Sequence, residues 1–262
     1  MKMICFDLDG TLLYHKEGKI PESALRAVEE LRKQHKIVIS TGRDMDSHYS
    51  TMWRDMLGPD AIIHLNGTKI SVGDKLIFEH FMDEALLKAI YDFAIERGLC
   101  FGTTIGTEDF YTDPKMKAEA DAAYFNPVKR NYLPFTEIFE RGLKVHAISF
   151  AGDVEQNRGL IREHFPSLRL CGFESGKGAD VVEEGCSKAE GLKRLCDFFD
   201  INMADTAAFG DSQNDIEIIE ASGLGIAMGN AVPELKETAD YVTEPIWDDG
   251  ILRACEHFHY FE

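Results

Sequence analysis

The sequence predicts an α/β protein, a Rossmann-like doubly wound parallel-sheet core with an inserted α/β cap domain. Three observations predict it: short apolar runs alternate with helical periodicity over the first 65 residues, the alternation breaks after Asn66-Gly67, and it resumes from Val181. Each β-α-β crossover must bury its apolar stripe on a parallel sheet, which places helices on both faces. The expected division is a core from residues 1–80 and 181–262 and an insertion over 81–180, a length that can fold as its own unit.

In chain order, residues 3–6 form a short apolar strand. Pro21 and Ser23 open a helix with Leu25, Val28 and Leu31 at helical spacing, and residues 37–40 are the next strand. Met45, Tyr49, Met52, Trp53 and Met56 are expected along one helical face, ended by Gly58-Pro59, with a third strand over 61–65. Residues 68–72 and 75–78 flank Gly73-Asp74 as a hairpin. Within the insertion, Asp83 caps a helix carrying Leu86, Leu87, Ile90, Phe93 and Ala94 that Gly98 ends, and strands lie near 99–104 and 145–150. Residues 113–140 show no clear period. After it, Ser187-x-x-Glu190 is a capping box for a helix with Leu192, Leu195 and Phe199 inward. Residues 206–210 and 224–228 are strands around a helix over 215–222.

With 28 Lys plus Arg against 46 Asp plus Glu, the formal charge is −18, which argues against nucleic-acid and anionic-membrane partners. The hydrophobic share of 44% supports a buried core. The longest run of apolar residues and Gly, 223–229, is far short of the ~20 residues of a membrane span. An acidic residue at position 7 interrupts any secretory leader, so a cytoplasmic protein is expected, with its six scattered cysteines as reduced core thiols. Without a secretory route, Asn66-Gly67-Thr68 is a tight turn with Gly at positive φ rather than a glycosylation site.

Ligands of open α/β sheets bind at the carboxyl ends of the strands, and here each such end is polar. Asp7 and Asp9, two apart in extended chain, point the same way, a costly arrangement for two anions unless a cation or shared proton relieves it. Ser40-Thr41-Gly42-Arg43 joins a hydroxyl, a Gly amide and a guanidinium at a helix start, suited to an anion. Lys188 sits in a first helical turn, where the helix dipole disfavours cations, which suggests that it neutralises something. Asp211, Asn214 and Asp215 end the strand over 206–210, and carboxylates from Asp7 and Asp211 are the oxygen donors Mg²⁺ prefers. Singly, each segment also reads as turn or helix capping, and Lys188 as a solvated lysine. Four strand ends so equipped do not read as accident.

Asp7-Leu8-Asp9-Gly10-Thr11-Leu12, Ser40-Thr41-Gly42-Arg43, Ser187-Lys188-Ala189-x-Gly191 and Gly210-Asp211-Ser212-x-Asn214-Asp215 together resemble the haloacid dehalogenase superfamily, in particular Cof-type phosphatases with a large (IIB) α/β cap. The motifs come in the family order, with the insertion between the second and third. The resemblance implies a Mg²⁺-dependent phosphatase acting on a small phosphorylated metabolite, with sugar phosphates the expected class. It makes Asp7 the nucleophile and Asp9 the general acid and base. Thr41, Gly42, Lys188 and Asn214 would hold the phosphoryl oxygens, and Arg43 would position the substrate. Asp7, the Asp9 carbonyl and Asp211 would hold Mg²⁺, supported by Asp215, and the cap would close over the leaving group.

Weaker signals read as structure. The run from Gly172 to Gly178 resembles a P-loop but is one residue short and lacks its Ser/Thr, so it is read as a mobile cap loop, and Gly223 to Gly229 misses the dinucleotide spacing. His257-x-His259 lacks a third metal ligand, and Phe110, Tyr111, Tyr124 and Phe125 suit the core of the insertion better than a pocket. Two rival functions use similar residues: a phosphosugar mutase, and a non-catalytic phospho-acceptor, which would leave the insertion unexplained.

Overall fold

The structure, a computed structural model, describes residues 2–124, 130–173 and 176–261. The chain divides into two units, one from Met1–Asp44, Trp53–Phe78 and Gly185–Glu262, the other from Met45–Met52 and Glu79–Glu184. Residues 45–52, expected with the core, thus group with the second unit.

The first unit begins with β1 (Met3–Phe6), α1 (Glu22–Leu31), β2 (Lys36–Ser40), α2 (Thr51–Leu57, its first two residues grouping with the second unit), β3 (Ala61–His64), β4 (Lys69–Val72) and β5 (Lys75–Glu79, its last residue likewise). The second unit supplies α3 (Glu84–Arg97), β6 (Cys100–Ile105), β7 (Glu108–Tyr111), α4 (Pro114–Tyr124), β8 (Asn131–Pro134), α5 (Thr136–Glu140), β9 (Ile148–Ala151), α6 (Val154–His164), β10 (Leu168–Gly172) and β11 (Gly178–Glu183). The chain returns to the first unit with α7 (Lys188–Phe199), β12 (Thr206–Gly210), α8 (Ile216–Ala221), β13 (Leu224–Ala227), α9 (Pro233–Thr238), β14 (Tyr241–Val242) and α10 (Gly250–His257).

The first unit is built on an eight-stranded sheet in the order β14-β13-β12-β1-β2-β3-β4-β5. Its strands from β14 to β3 run parallel, and β4 turns antiparallel on β3. The alternation along β1 explains why all four of its residues are buried. Met3 and Cys5 join Val38, Ile63, Ala208, Leu192, Leu195, Ile218 and Leu235 in one cluster under α7, α8 and α9. Ile4 and Phe6 turn the other way, and Phe6 stacks on Phe209 of β12 with ring centroids 4.8 Å apart, a pair worth ~0.5–1.5 kcal/mol beyond its area.

The second unit has its own sheet, β10-β11-β9-β6-β7-β8, antiparallel except for the β7–β8 pair. One of its faces is apolar, with Phe101, Phe110, Phe150 and Val181 packed with Leu87, Ile90 and Phe93 of α3 and Ile161 of α6. Asp83 accepts the Ala85 and Leu86 amides as the expected cap of α3, and Gly98 ends that helix at φ 63°. Residues 113–140, without a clear period in sequence, hold α4, β8 and α5. Phe110 and Tyr111 are buried as expected, while Phe125, the side chain of Tyr124 and residues 174–175 of the expected Gly172–Gly178 loop lie outside the described residues.

One expectation is corrected. The helix read through Met45 and Tyr49 starts only at Thr51, and it buries Trp53 and Leu57 while Met52 and Met56 are exposed. Ahead of it the Ser47 carbonyl accepts the Ser50 and Thr51 amides, a turn in a stretch whose Asp and Ser side chains compete with helix hydrogen bonding. The helix expected over 215–222 is α8, preceded by a tighter turn over Gln213–Asp215 in which the Asp215 carboxylate takes up the Asp211 and Ser212 amides. His257 stacks on Tyr241 at 4.6 Å. All six cysteines are free and buried, and no described helix is long and apolar enough to cross a membrane.

Candidate active site

Four adjacent parallel strands, β12, β1, β2 and β3, end in the residues that matter. Beyond β1, the Asp7 amide donates to the Phe209 carbonyl, extending the ladder by one residue and so fixing the direction of the Asp7 side chain. Lys188, the first residue of α7, reaches it with Nζ 2.6 Å from Asp7 Oδ1 and 2.6 Å from Asp215 Oδ1. The Ser187 hydroxyl caps α7 by accepting the Glu190 amide. The lysine is fully withdrawn from solvent, 0% exposed in its side chain, which a solvated lysine would not be. Burial alone would lower its pKa, but Asp215 and Asp7 hold it above the usual lysine range, so it stays charged.

One lysine does not balance three carboxylates. Oxygens of Asp7, Asp211 and Asp215 lie within 4.8 Å of one another. Burial, joined by the charges of Asp215 and Asp9 and opposed by Lys188, pushes Asp7 up to about 7. Burial and the charges of Asp7 and Asp215 likewise push Asp211 well above the carboxylate range. Asp215 is occupied by Lys188 and by two backbone amides at 3.0 Å, whereas Asp211 accepts one hydroxyl, from Thr11 at 2.8 Å. Two carboxylates that cannot both ionise comfortably, Asp7 buried and Asp211 half-buried, offer only oxygen donors and fit a hard divalent cation held between them. Gly10 keeps this space open: its φ is +90°, and a Cβ there would collide with the Asp211 carboxylate.

Asp7 and Asp9, expected side by side, have different partners. Arg43 grips Asp9 with Nε 2.7 Å from Oδ2 and Nη2 2.6 Å from Oδ1, and His15 Nε2 adds a contact at 2.9 Å. Burial would raise Asp9, but Arg43 and His15 hold its carboxyl well below the usual range. Arg43, expected on substrate, is thus on Asp9. Thr41 is buried, and its hydroxyl accepts the Arg43 amide at 3.1 Å. Asn214 donates to Asn66 Oδ1 at 2.8 Å and accepts from the Ser212 hydroxyl at 2.6 Å.

Thr11, His15, Asn66 and Asn230 carry no functional role in the sequence. Thr11 stood inside a quoted motif without a partner, since Asp211 is 200 residues away. His15 follows Asp9 in a loop with no periodicity, and in the sequence Asn66 signals only a turn. Asn230, which donates to the Gly10 carbonyl and accepts the Ile246 amide, carries no sequence signal.

Residues 4–255 match the family of haloacid dehalogenase-like hydrolases. The chain is 33% identical over 263 residues to YkrA of Bacillus subtilis (strain 168), spanning 97% of this chain and 96% of that one. Its fold is similar to BT1666 from Bacteroides thetaiotaomicron, described among phosphatases of the haloalkanoate (HAD) superfamily, with TM-score 0.88, 27% identity and coverage of 99% and 96%. It is similar too to the HAD subclass IIB sugar phosphatase BT4131, with TM-score 0.86, 28% identity and coverage of 99% and 100%.

Proposed function

We propose that this chain, which belongs to the haloacid dehalogenase-like hydrolase family and is a phosphatase, hydrolyses phosphate monoesters of small metabolites, sugar phosphates foremost, with Mg²⁺ bound and through an aspartyl-phosphate on Asp7. The observation that carries this reading is Lys188, buried and 2.6 Å from both Asp7 and Asp215. Its ammonium keeps Asp7 available as an anion and supplies positive charge where phosphoryl oxygens gather. Likeness to BT4131 along its whole length supports the sugar-phosphate class.

In this reading Asp7, the Asp9 carbonyl and Asp211 hold the metal, which when bound neutralises the carboxylates and the charge on the transferring phosphoryl group. Asp7 attacks phosphorus. Thr41, the Gly42 amide, Lys188 and Asn214 hold the equatorial oxygens, and Asp215 keeps Lys188 in place. Asp9 gives a proton to the leaving alkoxide and then takes one from the attacking water. Its carboxylate is held ionised while Arg43 is on it, so the acid step requires Arg43 to leave. A substrate that draws Arg43 to its own oxygens therefore also frees Asp9 to carry a proton.

The test is phosphate release from sugar phosphates, nucleotides and phosphorylated cofactors, with Mg²⁺, with EDTA and for Asp7→Asn, with products checked for isomerisation. Release that needs Mg²⁺ and disappears in Asp7→Asn is expected, with a sugar phosphate ranked first by kcat/KM. Isomerised product without release, or an Asp7→Asn variant as active as wild type, overturns the reading.

A further inference from the structure

The geometry points to Asn66 as a positioning residue that aims Asn214 at the phosphoryl group; this rests on the role given above to Asn214. The turn after β3 is unusual: Leu65, Asn66 and Gly67 take φ of 50°, 53° and 95°, so two residues with side chains sit in the left-handed region in succession. Such backbone persists only where its surroundings hold it, and it concentrates at functional sites.

Its surroundings are the strand ends assigned to the phosphate. The Asn66 amide donates to the Thr41 carbonyl at 3.0 Å, and the Leu65 amide to the Arg43 carbonyl at 3.1 Å. A Cβ on Gly67 would collide with the Ser187 carbonyl, so the turn lies directly against the residue preceding Lys188. Asn66 Oδ1 receives Asn214 Nδ2 at 2.8 Å, with Asn66 only 1% exposed. Three residues thereby bind the loops of Thr41, Lys188 and Asn214 to one another.

The bond to Asn214 has a directional consequence. A carboxamide is planar, and Asn214 is held at both ends, by the Ser212 hydroxyl on Oδ1 and by Asn66 on one Nδ2 hydrogen. The plane is then fixed, and with it the direction of the second Nδ2 hydrogen, which is the one left for a phosphoryl oxygen. Asn66 touches no substrate in this assignment; it sets where the donor on Asn214 points.

The test is a double-mutant cycle on the full chain with Mg²⁺: wild type, Asn66→Gly, Asn214→Ala and both together. Glycine accepts the left-handed backbone, so Asn66→Gly keeps the turn while removing the bond to Asn214, and a cooperative thermal melt verifies that the variant is folded. Asn66→Gly should lower kcat on the order of 10- to 100-fold, with KM changed by less than about threefold. The double variant should be no slower than Asn214→Ala, because Asn66 acts through it. Wild-type kcat in Asn66→Gly, or losses that multiply in the double variant, overturns the proposal. Calorimetric binding of inorganic phosphate to the same four proteins reads the cycle without turnover: affinity lost in Asn66→Gly, with the double variant binding no more weakly than Asn214→Ala, supports it, and unchanged affinity in Asn66→Gly overturns it. A wild type that binds phosphate through this cycle yet releases none from esters fails the phosphatase reading alone.

Discussion

Arg43 holds both carboxylate oxygens of Asp9, at 2.6 and 2.7 Å, so the residue expected on the substrate is engaged with the expected proton donor. A carboxyl held below its unfolded pKa stabilises the fold above that value, and the contribution is lost as pH falls through the folded pKa. Arg43→Ala should therefore be less stable than wild type at pH 7, with the difference shrinking below about pH 4. Urea midpoints across this range check it, and a difference independent of pH would contradict the pairing.

Lys188 lies buried between two carboxylates, and removing it leaves both without their cation. Lys188→Met should cost about 3–5 kcal/mol in urea unfolding and abolish phosphatase activity. A variant that keeps wild-type stability would show the ion pairs to be dispensable.

Asp7 and Asp211 behave oppositely to Asp9, because the fold raises their pKa. Folded chains then bind more protons than unfolded ones, so without metal stability should rise as pH falls from 8 through about 7. A divalent cation needs the ionised forms, and Mg²⁺ should raise Tm more at pH 8 than at pH 6. Thermal melts with Mg²⁺ and with EDTA decide it, and Asp211→Asn should remove the Mg²⁺ response.

Gly10 has φ +90° and no room for a Cβ beside Asp211. Gly10→Ala should lose roughly 1 kcal/mol or more of stability from backbone strain and, by displacing Asp211, the Mg²⁺ shift in Tm. Retention of that shift would separate Gly10 from the proposed metal site.

Much of this was legible in the sequence because it rests on local chemistry. Strands 3–6 and 206–210 were readable from apolar runs, and the caps Asp83 and Ser187 from a side chain bonding an amide two or three residues on. What escaped depends on pairings across the chain. Nothing near Asn66 announces Asn214, and nothing near His15 announces that it faces Asp9. Periodicity misled at Met45 and Tyr49, since those apolar residues pack with a unit whose remainder begins at Glu79, not along one helix.

β1 pairs with β2 on one side and with β12, about two hundred residues later, on the other. The strand that ends at Asp7 therefore leaves the ribosome about two hundred residues before β12 and waits, one edge bare, until that partner is made. Until residues 206–210 arrive, that apolar edge can template pairing with another chain, and Asp7 has no lysine to meet. Slow elongation through the second unit, or truncation before residue 188, should divert the chain toward aggregates rather than a half-active core.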